Sequence, residues 1–160
     1  MAQKRRQEEV EQQRQKDAKA IASYLADHQI TAETTASGLH YVIDTSGQGA
    51  KPKLGDKVKV NYTGWLLEGK IFDTSLEEVA KKHGMHDPKR TYQPFEFELG
   101  AGQIIQGWDE GIRLLNKGSK ARLFIPSILA YGSQGVGNGM IPPHAILVFE
   151  VALVDIQSGS

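Results

Sequence analysis

Ile104-Ile105-Gln106-Gly107-Trp108-Asp109-Glu110-Gly111-Ile112-Arg113-Leu114-Leu115 is the stretch on which the fold turns. Ile104, Ile105, Trp108, Ile112 and Leu115 recur at helical spacing and share one side, while Asp109, Glu110 and Arg113 fall on the other. Asp109 and Glu110 lie near the start, where the electropositive end of a helix favours carboxylates, and Asn116-Lys117-Gly118 ends it. The sequence on both sides reads as strand. A lone short helix among strands has one place to bury its apolar stripe, a face of their sheet, so the expected class is α+β. On these grounds alone Trp108, the largest apolar side chain of the stripe, reads as core.

Upstream, Leu39 to Ile43 is strand-like, and Asp44 to Leu54, with Gly47, Gly49 and Pro52, is a loop. Lys57 to Tyr62 alternates strictly, so Val58, Val60 and Tyr62 share a face; the strand continues through Thr63-Gly64-Trp65-Leu66-Leu67. Glu68-Gly69-Lys70 is a turn into Ile71-Phe72-Asp73. Ser75 and Glu78 have capping-box spacing, which predicts a helix running to His83 with Gly84 as its stop. Leu76 and Val79 share one face of it and should pack on the sheet edge, whereas Met85 to Gln93 should be a more loosely held loop. Phe95, Phe97 and Leu99 alternate on one face, and Gly100 to Gly102 leads into the central helix. Downstream, Ala121, Leu123 and Ile125 alternate, Ala130-Tyr131-Gly132 opens a glycine-rich loop ending at Ile141-Pro142-Pro143, and Ala145 to Ile156 is the longest apolar strand.

A chain of 160 residues is long enough for one domain and an appendage. Nineteen Lys and Arg balance nineteen Asp and Glu, so nothing points to nucleic acid or an anionic membrane surface. Without Cys there is no disulfide or thiolate chemistry, and no apolar run is long enough to span a bilayer. The appendage is residues 3 to 28, rich in Lys, Arg, Glu and Gln and free of Gly and Pro. Its apolar residues are Val10 and a narrow stripe of Ile21, Tyr24 and Leu25. It reads as a solvated helical spacer; the alternative is a dimerising arm, and the stripe would let its end dock on the domain or on a second copy. Thr31 to Ser37 reads as a linker, which divides the chain into an extension at 1–37 and a domain at 38–157.

Several signals carry little. Gly135-Val136-Gly137-Asn138-Gly139 looks like a phosphate loop but follows no clear strand and runs into Pro142-Pro143. His83 and His86 have no third ligand at a suitable spacing, so no metal is expected, and no cofactor motif is present. Asp109 and Glu110 diverge on a helix and are no acid–base pair. Ser127 lacks a glycine-flanked elbow and evident His and Asp partners.

What remains is an ordered set: Val60-Asn61-Tyr62-Thr63-Gly64, Phe72-Asp73-Thr74-Ser75, Pro94-Phe95-Glu96-Phe97, Ile104-Ile105-Gln106-Gly107-Trp108-Asp109-Glu110-Gly111, Ala130-Tyr131-Gly132, and Ile141-Pro142-Pro143-His144 with Leu147-Val148-Phe149. From about Gly38 to Ile156 this resembles the tacrolimus-binding (FKBP) family of peptidyl-prolyl cis–trans isomerases, and the charged extension is similar to that of bacterial members. The resemblance implies a curved antiparallel sheet wrapped around the short central helix, with an N-terminal helix and an inserted helix added. It places Trp108 at the floor of a pocket, with Asp73, Tyr131 and Phe72 beside it in catalysis. Tyr62, Phe95, Phe97, Ile104, Ile105, Ile141 and Phe149 would bind substrate, Ile105 through its backbone N–H; Met140 is left outside the site. The implied activity is isomerisation of Xaa-Pro bonds in folding proteins by stabilising a twisted amide, with Asp73 orienting rather than taking protons. The implied partners are proline-containing peptides and unfolded proteins, with tacrolimus or rapamycin as inhibitors. The alternative is a docking or chaperone module that keeps the pocket without catalysis. Leu76 to Gln93 is longer than the link in compact members and puts extra chain at the pocket rim. The start, Met1-Ala2-Gln3-Lys4-Arg5-Arg6-Gln7-Glu8-Glu9, has no signal-peptide core. The extension points to a bacterial periplasmic or outer-membrane-tethered protein if a leader was removed before Met1, and to a cytoplasmic one otherwise.

Overall fold

The alternating run that begins at Lys57 folds as β3 (Lys57–Leu66), the strand that organises the sheet. A computed structural model describes residues 2–136 and 141–158; Gly137, Asn138, Gly139 and Met140, on which part of the loop reading above falls, lie outside the described residues. Around β3 come α1 (Ala2–Asp27), β1 (Glu33–Thr34), β2 (His40–Thr45), β4 (Ile71–Thr74), α2 (Glu77–Lys82), β5 (Phe95–Glu98), α3 (Gln106–Ile112), β6 (Lys120–Ile125), a 3-10 turn (Ser127–Leu129) and β7 (Leu147–Gln157). The seven strands make one antiparallel sheet in the order β1-β2-β6-β7-β3-β4, with β5 also on β3. β3 pairs with β7 along its whole length on one edge; the other edge is divided between β5, at Lys57 to Val60, and β4, at Thr63 to Trp65.

The expected central helix lies on the sheet but is shorter than predicted. Ile105 is extended (φ −58°, ψ 146°), so the helix starts after it. Beyond Ile112 the chain tightens, with the Leu114 and Leu115 N–H groups reaching back only three residues, to Gly111 and Ile112. Trp108, Ile112 and Leu115 are buried, as their spacing requires. Gly107 and Gly111 let α3 come close to β6: a Cβ at either would stand 2.6 Å from Ile125 or 2.8 Å from Leu123. The polar face is tied down as well. The Asp109 carboxylate accepts the Gly100 N–H at 2.9 Å, and Glu110 accepts the Ser37 hydroxyl at 2.6 and 2.7 Å.

Two local expectations are corrected. Ser75 does not cap α2; its hydroxyl accepts the Tyr62 N–H at 2.9 Å and donates to Asn61 at 3.0 Å, while Leu76 holds the cap position without a side-chain bond. The stop at Gly84 is as expected: Gly84 (φ 70°) and Met85 donate to the carbonyls of Lys81 and Ala80, a left-handed helix end. The Leu76 and Val79 face does not seat α2, because Leu76 is exposed and Ala80 is the buried residue. Met85 to Gln93 buries none of its residues, in keeping with a loop that packs less firmly than the helix, but surface contacts run along it. His86 stacks on Tyr92 at 5.4 Å and meets Glu77 at 3.2 Å, Tyr92 accepts the Asp87 N–H at 3.0 Å, and the Arg90 guanidinium lies 4.9 Å from the Tyr92 ring centre.

α1 is not a free spacer along its whole length. Most residues before Asp17 are exposed, Val10 among them. From Asp17 onward the helix docks on the back of the sheet. Ile21 and Leu25 form a second apolar cluster with Phe124, Ile146 and Val148, on the opposite side from α3. Phe124 shows why β6 departs from simple alternation: both of its faces are covered, one by α3 and one by α1. The stretch read as a linker contains β1, which pairs Glu33 with Tyr41 and Thr34 with His40. Among the described residues no helix is long and apolar enough to cross a membrane.

Candidate functional site

Six separate segments converge on Trp108. β3 supplies Tyr62, β4 supplies Phe72 and Asp73, and β5 supplies Phe95; Ile104 and Ile105 come just before α3, Tyr131 just after the 3-10 turn, and Phe149 from β7. Together they line a cavity of about 210 Å³. The indole, 2 % exposed, lies at its base. The rings of Tyr62 and Phe149 stand edge-on to it at 5.2 Å and that of Phe95 at 6.2 Å, with interplanar angles of 75° to 84°. Phe72 in turn stands edge-on to Phe149 at 5.5 Å. Edge-to-face contacts suit the charge distribution of aromatic rings and fix their orientation. Gly64 is needed for this packing, since a Cβ there would lie 2.6 Å from Phe72 and 2.7 Å from Phe149. Trp108 Nε1 is the buried side-chain donor left without a hydrogen-bond partner among the described residues.

Nine of the expected site residues thus line one cavity, and two lie behind it. Phe97 is buried and packs against Trp108 at 5.8 Å from the side away from the opening. Ile141 is buried in the main core, its carbonyl accepting the Val136 N–H at 2.8 Å. Phe95 and Tyr131, 39 % and 40 % exposed, form the rim.

The polar side of the cavity is a chain of hydrogen bonds. Tyr62 donates its hydroxyl to Asp73 Oδ2 at 2.5 Å, and Asp73 Oδ1 accepts the Thr74 N–H at 2.8 Å and Arg90 Nη1 at 2.9 Å. Arg90 also reaches the Tyr62 oxygen at 3.4 Å. Burial, and then the bond to Asp73, push the Tyr62 hydroxyl far above the ordinary phenol range. Burial, and then the Asp73 charge, raise Tyr131 as well. Arg90 is raised chiefly by its bond to Asp73. Sequence reasoning missed Arg90. It lies seventeen residues beyond its partner in a stretch with no periodicity, and because the insertion also carries Lys81, Lys82 and Lys89, nothing in the sequence singled it out. The same insertion walls a second hollow of about 410 Å³, lined by Lys59, Arg90, Thr91, Gln93, Pro94 and Glu96 and sharing Tyr62 and Phe95 with the first.

An antiparallel sheet thus lies over one short helix, with an indole-floored cavity walled by aromatic rings between them. The chain belongs to the FKBP-type peptidyl-prolyl cis-trans isomerase family, whose sequence pattern matches residues 48–154. It is 43% identical over 125 residues to an FKBP-type peptidyl-prolyl cis-trans isomerase FkpA from Aeromonas hydrophila, a match covering 78% of this chain and 40% of that protein. It is 45% identical over 132 residues to FK506-binding protein 2 from Candida glabrata, covering 79% of this chain and 87% of that one. Among solved structures, FkpA from Escherichia coli superposes with a TM-score of 0.70 at 33% identity, over 99% of this chain and 69% of that one. A peptidyl-prolyl cis-trans isomerase from Pseudomonas syringae gives 0.68 at 32% identity, over 90% and 96%. The chain spans less than half the length of the Aeromonas relative.

Proposed function

We propose that this chain catalyses cis–trans isomerisation of Xaa-Pro peptide bonds in the cavity above Trp108. The observation that carries the reading is the edge-on enclosure of a buried indole by Tyr62, Phe95 and Phe149. Rotation about a peptide bond is opposed by about 18–20 kcal/mol, because it destroys amide conjugation. The twisted amide is less polar than the planar one. A cavity that replaces water with ring faces therefore favours it, and this is binding of the transition state in preference to the ground state. A gain of about 5–8 kcal/mol brings the step to milliseconds or faster.

The polar groups orient. The Asp73 carboxylate already accepts from Tyr62, Arg90 and Thr74, so it holds the wall in place rather than waiting for a proton. The raised Tyr131 phenol keeps its proton and serves as a donor at the rim. The Ile105 N–H, at the mouth of α3, is assigned to the substrate carbonyl. The ligands that follow are proline-containing peptides and unfolded proteins, with tacrolimus or rapamycin as competitors. The exposed first part of α1 serves as a solvated spacer, with contact to a second copy as the alternative, and sedimentation of the full chain distinguishes the two.

A protease-coupled assay on an Xaa-Pro tetrapeptide, with an apolar residue before proline, tests the catalytic reading. Acceleration abolished by tacrolimus is expected. No acceleration from folded protein overturns it and leaves a docking module.

A further inference from the structure

Asp17 is 2 % exposed and sits where α1 passes from its solvated first part to its docked second part. All its partners are donors: the Ser127 N–H at 2.9 Å and the Ser127 hydroxyl at 2.5 Å reach one oxygen, and Gln13 Nε2 reaches the other at 2.9 Å. A buried carboxyl group is tolerated only when its oxygens are bonded in this way, which makes the contact directional and hard to replace with water. Ser127 is 110 residues away in sequence and opens the 3-10 turn after β6. Its own carbonyl accepts the N–H of Ala130 at 3.0 Å and of Gly132 at 2.9 Å, the two residues that flank Tyr131. The Gly132 carbonyl then accepts the His144 N–H at 2.8 Å, closing the loop behind the rim. The backbone on both sides of Tyr131 therefore hangs from the residue that Asp17 grips.

We infer that Asp17 is a positioning residue for Tyr131, so that the N-terminal helix sets the geometry of the pocket rim through Ser127. The inference rests on the isomerase reading above. It assigns α1 a part in substrate alignment as well as in packing: Ile21 and Leu25 seat the helix, and Asp17 passes its position to the cavity. A shift of α1, imposed by whatever the exposed residues before Asp17 contact, moves the Tyr131 hydroxyl relative to the bound proline.

The test is a double-mutant cycle on the full chain. Asp17→Ala is expected to lower kcat/KM on a tetrapeptide about three- to fivefold, no more than loss of the Tyr131 hydroxyl itself, since small misplacements of orienting groups are costly to alignment. Asp17→Asn, whose side-chain oxygen can still accept from Ser127 while Gln13 turns its amide, should keep activity within about twofold of the parent. In a Tyr131→Ala background, Asp17→Ala should change kcat/KM by less than about twofold, because residues acting through one group do not add. Losses that add in the double variant overturn the inference, as does an Asp17→Ala protein of full activity. If Asp17→Ala fails to fold, Ser127→Ala, which removes only the hydroxyl arm, is carried through the same cycle with the same criteria. Amide hydrogen exchange over residues 128–136 reads the coupling without substrate: it should quicken in Asp17→Ala and not in Asp17→Asn. Unchanged exchange sinks the inference even if the parent isomerises peptides; quickened exchange in a parent that does not isomerise them shows that the catalytic reading has failed and the coupling has not.

Discussion

The floor and the rim of the pocket are held by different physics. At the floor, Trp108 is fixed by shape: rings on three strands and the close approach of Gly107 to Ile125 leave it one position. At the rim, Asp73 and Arg90 are fixed by direction and charge, with side chains 38 % and 39 % exposed. Apolar burial is indifferent to salt and scales with area, whereas a half-exposed ion pair is screened and contributes about 0–1 kcal/mol. On the isomerase reading proposed above, the difference teaches that the floor supplies stability and affinity together, while the rim supplies alignment at little cost to the fold.

The comparison breaks first at Trp108. Trp108→Ala should cost about 3–5 kcal/mol of stability through the cavity it leaves, with isomerase activity falling to background. Denaturant midpoints and the peptide assay read both, and a stable, inactive variant would show that the floor does not carry the fold. Replacing Leu76 to Gln93 with a short polar linker comes next. Because the insertion carries Arg90, tetrapeptide kcat/KM should fall about tenfold, the range for loss of an orienting contact. Arg90→Ala alone should account for about three- to fivefold of that while stability moves by less than about 1 kcal/mol, in keeping with an exposed pair. If the linker variant retains full activity, the rim is dispensable for small substrates. Tyr131→Phe should cost about two- to fivefold, the size of one modest hydrogen bond, with the fold intact; loss to background with normal ligand affinity would mean essential chemistry at the hydroxyl. The smallest effect is an alkaline slope. The Tyr62 hydroxyl is raised in the folded state, so its contribution to stability is complete below the ordinary phenol value of about 10 and is lost as pH climbs beyond it. Tyr62→Phe should flatten the fall in unfolding free energy above that pH, and an unchanged slope would remove Tyr62 as its source.

Most of the floor was legible in the sequence, and much of the rim was not. Val58, Val60 and Tyr62 alternate because one face of β3 is buried, and Trp108, Ile112 and Leu115 recur as they do because α3 has one apolar side. Periodicity reports burial, so it found the elements that burial builds. Asp17 broke the rule in silence: among Lys, Arg, Glu and Gln a buried carboxylate looks like a solvated one, and only the fold reveals Ser127 beneath it. Ser75 misled in the opposite sense. Its spacing to Glu78 fits a cap, but the hydroxyl was claimed by the Tyr62 N–H across the sheet, a competition that local sequence does not display. Arg90 needed the three-dimensional path of a loop. Phe97 and Ile141 were placed in the pocket by resemblance; both are in the core, where the lining ends one layer earlier.

The divided edge of β3 has an evolutionary consequence. Between the last pairing with β5, at Val60, and the first with β4, at Thr63, the ladder is interrupted, and Ser75 fills the gap by bonding both the N–H and the carbonyl of Tyr62. The chain departs from that gap after Ser75 and returns to it at Phe95, so the intervening segment can change length without breaking a single ladder bond. Lengthening such an excursion is cheap, about 0.6 kcal/mol for each doubling. Descendants of this sheet are therefore free to trade one rim for another by insertion and deletion, acquiring new substrates while the indole beneath stays where it is.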